Sequence, residues 1–162
     1  IELRRRNVKL VQYVAPGMPN LLVDPILIEQ VLLNLLKNAA ESVDSAQRPT
    51  PQRLVKLRVA PGQVEGKVVV EFKVIDSGAG IAPEVMARLY EAFYSTKAEG
   101  MGIGLSLCRS IVESHMGRMK AENLYNGEVI VGCCFTFWIP MADPMATPSL
   151  KRSEHQGLQV SP

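Results

Sequence analysis

The run Asp24–Val43 restricts what this chain can fold into more than any other feature. Asp24 offers a side-chain cap, and Pro25 suits the first helical position, where an amide would have no helical partner. From there to Val43 the apolar residues recur at helical spacing, with Leu27, Val31, Leu32, Leu35 and Leu36 on one side. Gln30, Asn34 and Asn38 are each four residues apart and share a stripe on the other side, with Lys37 and Glu41 in the same arc. A helix of this length with one apolar side must cover a second layer of structure.

The rest of the chain supplies that layer. Lys9–Val14 alternates and reads as a strand ended by Ala15-Pro16-Gly17. Leu54–Val59 and Lys67–Ile75 read as paired strands joined by Pro61–Gly66, after a polar loop over Ser45–Gln52. Pro83–Tyr90 is expected to form a short helix and Phe93–Met101 a mobile connection. Ile103–Met116 is a longer helix closed by Gly117, a residue common just past a helix end. Met119–Glu122 and Val129–Ile139 form a last strand pair around Tyr125-Asn126-Gly127. Strands and helices mix without a regular βαβ alternation. The expected fold is therefore an α+β two-layer sandwich, with a mixed, mostly antiparallel sheet of about five strands against three main helices.

With 162 residues, 47% of them hydrophobic, the chain can fill one core. The expected division is residues 1–7 as the end of a linker, 8–140 as the domain, and 141–162, rich in proline, serine and charge, as a disordered tail or linker. The chain begins at Ile1 rather than methionine, as a fragment of a longer protein would. A net charge of +2 is too small to argue for nucleic acid, so binding must come from local constellations. The longest apolar stretches, Val31–Leu36 and Val129–Trp138, fall short of the roughly 20 residues a membrane span needs. Cys108, Cys133 and Cys134 make no pairing framework and read as core residues in a reducing compartment.

Three places carry chemistry. Asparagine is a poor helix former, and an exposed stripe would more cheaply carry Glu, Lys or Gln. An asparagine carbonyl is, however, a neutral oxygen ligand suited to Mg²⁺, which takes its other ligands from water and substrate phosphates. In Val74-Ile75-Asp76-Ser77-Gly78-Ala79-Gly80-Ile81 a carboxylate ends an apolar strand just before two glycines. Asp76 could accept a hydrogen bond from a ligand amino group, while the glycines let the backbone approach a flat ring. Gly100-Met101-Gly102-Ile103-Gly104-Leu105 opens a helix, where exposed amides and the helix dipole favour a phosphate. A dinucleotide fingerprint fails here, because Leu105 stands where the third glycine or alanine is needed.

In order and spacing, these features resemble the ATPase superfamily that joins DNA gyrase, the heat-shock chaperone ATPase, MutL and the histidine kinases. Gln30–Ala39 is similar to the histidine-kinase asparagine box, Asp76–Gly80 to its first glycine box and Gly100–Gly104 to its second. Tyr90–Lys97 is similar to its phenylalanine box, with Ala92 where a proline is common. The resemblance runs from about Val8 to Pro140. It implies that Asn38 ligates Mg²⁺, that Asn34 helps hold the phosphates of ATP, and that Asp76 reads the adenine amino group. It implies that Gly78, Gly80 and the adjoining Ile81 shape the base pocket, and that Lys97 reaches the phosphates from a lid. Gly100, Gly102 and Gly104, with Leu105, would cradle the triphosphate. Two departures stand out. Cys133 replaces the threonine of a Gly-Thr-x-Phe pattern, and Met116 replaces a glycine.

The resemblance also bears on the reaction. Hydrolysing relatives carry a water-activating glutamate one helical turn before the metal-binding asparagine, and that position here is Asn34, which cannot act as a base. The implied function is that of a sensor histidine kinase catalytic domain, transferring the γ-phosphate to a histidine on a separate dimerisation domain of the same parent. A response regulator would act downstream. The implied parent is a homodimer, and the domain a cytoplasmic monomer whether or not the parent is membrane-anchored. Of the two histidines, His115 reads as structural in the last turn of its helix, and His155 lies in the tail. The alternatives are a non-catalytic ATP-binding regulatory module and a serine kinase of the anti-sigma type on the same scaffold.

Overall fold

The computed structural model describes residues 2–91 and 104–142. The first long element, after a short helix α1 (Glu2–Arg5) and strand β1 (Lys9–Val14), is helix α2 (Pro25–Ser45). Asp24 caps it as its sequence predicts, accepting from the amides of Ile26 at 3.0 Å and Leu27 at 3.2 Å. A single 3₁₀ turn (Thr50–Gln52) leads into strand β2 (Leu54–Val64), followed by β3 (Lys67–Asp76) and the four-residue helix α3 (Pro83–Met86). Helix α4 (Gly104–Ser114) and strands β4 (Arg118–Asn126) and β5 (Val129–Pro140) complete the domain.

The strands form one five-stranded sheet in the order β1-β2-β3-β5-β4. β1 runs parallel to β2 and the other three pairings are antiparallel, as the mixed pattern of elements predicts. Helices α2 and α4 pack together on one face, over a core that includes Val31, Leu35, Val43, Val74, Val112 and Phe137. Phe72 and Phe137 stack at its centre, 4.5 Å between ring centroids. On the opposite face Cys134 lies beside Thr136, the residue two along the strand.

Three boundaries differ from expectation. β2 continues through Pro61 to Val64, so the β2–β3 turn is only Glu65-Gly66, both at positive φ. Proline is tolerated at position 61 because β1 pairs with β2 only as far as Val59, leaving no neighbour there to demand its missing amide. The expected helix Pro83–Tyr90 is a helix only to Met86, so among the described residues two long helices, α2 and α4, cover the sheet. At the end of α4, Met116 and not Gly117 takes the left-handed conformation, φ 64°. Gly117 is required for another reason: a Cβ there would collide with the carbonyl oxygen of Trp138.

Candidate functional site

Asp76 ends β3, in register with Val55 on one side and Cys133 on the other. Only 5% of it is exposed. Its Oδ1 accepts from the Gly78 amide at 2.8 Å and from Ser42 Oγ at 3.4 Å. Burial pushes the carboxyl up to about 6, against the opposing pull of hydrogen bonds from Gly78, Ser42 and the Cys133 backbone. Desolvation dominates, and the group titrates close to neutrality.

The backbone around it is packed too closely for side chains. A Cβ on Gly132 would collide with the Asp76 carbonyl oxygen, and one on Gly78 with Ser42 Oγ. Gly80 adopts φ 78°, and a Cβ there would press on Ile130 and lie 2.8 Å from Asn123 Oδ1. Side chains from distant elements hold the loop that follows. Arg48 donates from Nε to the Ser77 carbonyl at 2.9 Å and from Nη2 to the Gly78 carbonyl at 3.2 Å. Asn123 accepts from the Ile81 amide at 2.8 Å and donates to the Ile81 carbonyl at 2.7 Å. Ser77 turns toward β2, its hydroxyl accepting from the Leu54 amide at 3.0 Å.

At the other end, Asn34 lies against the start of α4. A Cβ on Gly104 would sit 2.8 Å from Asn34 Nδ2, so a side chain there would have to displace the Asn34 amide. Asn34 also hydrogen-bonds the Cys108 thiol, which burial pushes up to about 11. Asn38 is half-buried one turn further along α2, and Ser42 one turn beyond that. The stripe Asn34–Asn38–Ser42 therefore runs from Gly104 to the first glycine cluster. Eight residues of helix rise about 12 Å, a span suited to a nucleotide laid along it. Leu105 packs at the edge of the core beside Gly104, and Ile81 likewise beside Gly80.

The predicted residues Asn34, Asn38, Asp76, Gly78, Gly80, Ile81, Gly104 and Leu105 are all placed, and α2 links the two groups they form. Lys97, Gly100 and Gly102, with the whole of the expected connection Phe93–Met101, lie outside the described residues, as do His155 and the tail from residue 143 onward. Sequence reasoning missed Ser42, Arg48 and Asn123. Of these only Ser42 carries a signal, since it continues the four-residue spacing from Asn38.

Asn38 fits a hard cation in kind, offering one neutral oxygen in a stripe free of competing thiolates and imidazoles. Among the described residues no group of three or more His, Cys, Asp or Glu could hold a metal. Cys133 occupies the position opposite Asp76, with its thiol pushed up to about 12, first by burial and then by the neighbouring carboxylate. Thr136 lies on the other face of the sheet, beside Cys134 at 3.6 Å, and cannot serve in its place. His115 accepts the Asp24 amide at Nε2, 3.0 Å, and its Nδ1 lies 2.8 Å from the Ile111 carbonyl. It ties the end of α4 to the start of α2, at the opposite end of α4 from Gly104.

Among the described residues no helix is long and apolar enough to cross a membrane. Residues 23–143 match the family model described as histidine kinase-, DNA gyrase B- and HSP90-like ATPase. The chain is 39% identical over 140 residues to the sensor protein FixL of Bradyrhizobium diazoefficiens, covering 86% of this chain and 26% of that protein. It is 38% identical over 138 residues to the C4-dicarboxylate transport sensor protein DctS of Rhodobacter capsulatus, covering 85% and 20%. The chain thus spans about a quarter of the length of these curated relatives. Among solved structures it is similar to full-length ShkA in complex with AMPPNP, with a TM-score of 0.67 and 27% identity over 87% of this chain and 27% of that one. It is also similar to the catalytic domain of histidine kinase ThkA, with a TM-score of 0.64 and 28% identity over 86% and 84%.

Proposed function

Since the chain belongs to the histidine kinase-, DNA gyrase B- and HSP90-like ATPase family, and its relatives include sensor histidine kinases, we propose that it holds MgATP and presents the γ-phosphate to a histidine on a separate dimerisation domain of its parent protein. The observation that carries this reading is the α2 stripe, which sets Asn34 against the glycine start of α4 and Ser42 against the buried Asp76. A nucleotide laid along it has adenine at Asp76 and phosphates at Asn34, Asn38 and Gly104. Asp76 accepts from the adenine amino group, a charge-assisted bond worth roughly 1.5–3 kcal/mol. Asn38 holds Mg²⁺, which would neutralise phosphate charge. Lys97, Gly100 and Gly102 act from the segment between α3 and α4.

Transfer rather than hydrolysis follows from what the stripe lacks. Asn34, one turn before the metal-holding asparagine, is an amide engaged with Gly104 and Cys108, and cannot take a proton from water. Phosphoryl transfer depends mainly on positioning and charge neutralisation, so the acceptor can come from a partner. His115 is occupied by Asp24 and Ile111 and serves as a strut. The parent is a dimer with a response regulator downstream.

The chain alone is expected to bind ATP without hydrolysing it quickly or labelling itself. Mixed with the dimerisation domain of its parent, it is expected to transfer ³²P from γ-labelled ATP to a histidine, giving an acid-labile, base-stable phosphoramidate. Loss of the tether lowers effective concentration, so slow labelling suffices. Fast hydrolysis by the chain alone, or self-labelling abolished by His115→Ala, would overturn the reading.

A further inference from the structure

The loop Ser77–Ile81 leaves the sheet at Asp76, so its backbone must find partners outside any strand ladder. Its first half is held by the Arg48 guanidinium on two carbonyls. Its second half is held by one side-chain amide, that of Asn123, across a separation of 42 residues. Asn123 takes both main-chain groups of Ile81, the amide at 2.8 Å and the carbonyl at 2.7 Å, as a neighbouring strand would. The approach is close enough that Gly80 has no room for a Cβ between Asn123 and Ile130. Asn123 belongs to β4, whose neighbour β5 also carries Gly132 against the Asp76 carbonyl.

We infer that Asn123 is a positioning residue for base recognition: its amide locks Gly80–Ile81 in the shape that receives adenine beside Asp76, before any nucleotide arrives. This rests on the proposed placement of adenine at Asp76. Asn123 touches no nucleotide itself. Its contribution is to remove the ordering cost that a loose loop would add to binding, and that cost falls on the base end alone. Replacing the amide frees both Ile81 groups to water, and the loop then samples other shapes.

The test is a double-mutant cycle on the 162-residue chain, with MgATP binding read by calorimetry. Asn123→Ala is expected to weaken MgATP about tenfold, and Asn123→Asp, which keeps the acceptor for the Ile81 amide but sets a second acceptor against the Ile81 carbonyl, by at least as much. The loss from Asn123→Ala should shrink severalfold when Asp76→Asn is already present and stay unchanged when Asn38→Ala is present. In the nucleotide-free protein the Ile81 amide should exchange faster in Asn123→Ala while amides in the middle of β3 keep their protection, a readout that general destabilisation would not give. If Asn123→Ala fails to fold, the same cycle and exchange measurement with Asn123→Asp decide the matter. Wild-type binding in both Asn123 variants, or losses that add fully to that of Asp76→Asn, would overturn this inference and leave the site assignment standing. A wild-type chain that binds no ATP would overturn the site assignment itself.

Discussion

At the Asp76 end of the α2 stripe, the loop Ser77–Ile81 is held from the α2–β2 connection by Arg48 and from β4 by Asn123, while Ser42 of α2 donates to Asp76. At the Asn34 end, among the described residues, the Asn34 amide reaches α4 at Gly104 and at the Cys108 thiol. The first end is packed from several elements, with Gly132 against the Asp76 carbonyl and Gly78 close to the Ser42 backbone. The second can adjust, because its close contact is the tip of a side chain. The contrast fits the two tasks: a flat base is told from another by the fixed position of one acceptor, whereas a flexible triphosphate needs charge compensation more than shape.

The largest expected effect follows from exchanging glycine for alanine at each end. In Gly78→Ala the new methyl meets Ser42 Oγ and lies 2.9 Å from the Ser42 backbone carbon, so the loop must move. A loss of roughly 1–3 kcal/mol in folding stability is expected from the forced backbone shift, with ATP binding reduced at least a hundredfold. In Gly104→Ala the nearest atoms to the methyl belong to the Asn34 amide, at 2.8 Å and 3.1 Å, and that side chain can turn aside at the expense of its bond to Cys108. Denaturant unfolding should register a change under about 1 kcal/mol there. Equal destabilisation in the two variants would break the contrast between the ends.

Asp76→Asn is expected to lower selectivity for ATP over GTP, measured by competition, by about tenfold or roughly 1.4 kcal/mol. The same carboxyl predicts a pH effect. Adenine recognition needs the ionised form, and the group titrates at about 6, so wild-type ATP affinity should fall about fourfold between pH 7.5 and 5.5. In Asp76→Asn that component should vanish. Folding stability should run the other way. A carboxyl raised from 3.8 to about 6 in the folded protein favours folding while protonated, so its contribution is full below pH 3.8 and lost as pH rises through about 6. Parallel pH profiles for the two proteins would remove Asp76 from both roles.

The smallest effect lies outside the cleft. Met116 is 78% exposed and held at φ 64°, a conformation that costs a side-chain-bearing residue about 1 kcal/mol. Met116→Gly should raise stability by roughly 0.5–1 kcal/mol and leave nucleotide affinity unchanged. A change in affinity would mean that the far end of α4 communicates with the cleft after all.

Which parts of this arrangement were legible in advance depended on how far their causes reach along the chain. Asn34 and Asn38 were visible because helical spacing makes neighbours of residues four apart, and Ser42 was one step further along the same reading. Asp76 was visible because a carboxylate closing an apolar strand before glycines has few purposes. Arg48 and Asn123 were not, since they meet the glycine loop across 29 to 42 residues and look locally like ordinary polar surface. The β2–β3 turn was misplaced because Pro61 and Gly62 signal a break locally, and only the short reach of β1 makes a strand tolerable there.

By itself, then, the sequence determined the long capped helix, the strand pairs around it, the order of the asparagine and glycine clusters, and the family those clusters resemble. All of these rest on periodicity, capping and turn chemistry, which act over a few residues. Only the tertiary structure decided that Ser42 reaches Asp76, that Asn123 stands in for a strand beside Ile81, and that Thr136 lies on the wrong face to replace a residue at Cys133. Those outcomes depend on how β3, β5 and β4 register against one another and against α2. Register is a property of the packed sheet, where a shift of one residue sends every side chain to the opposite face.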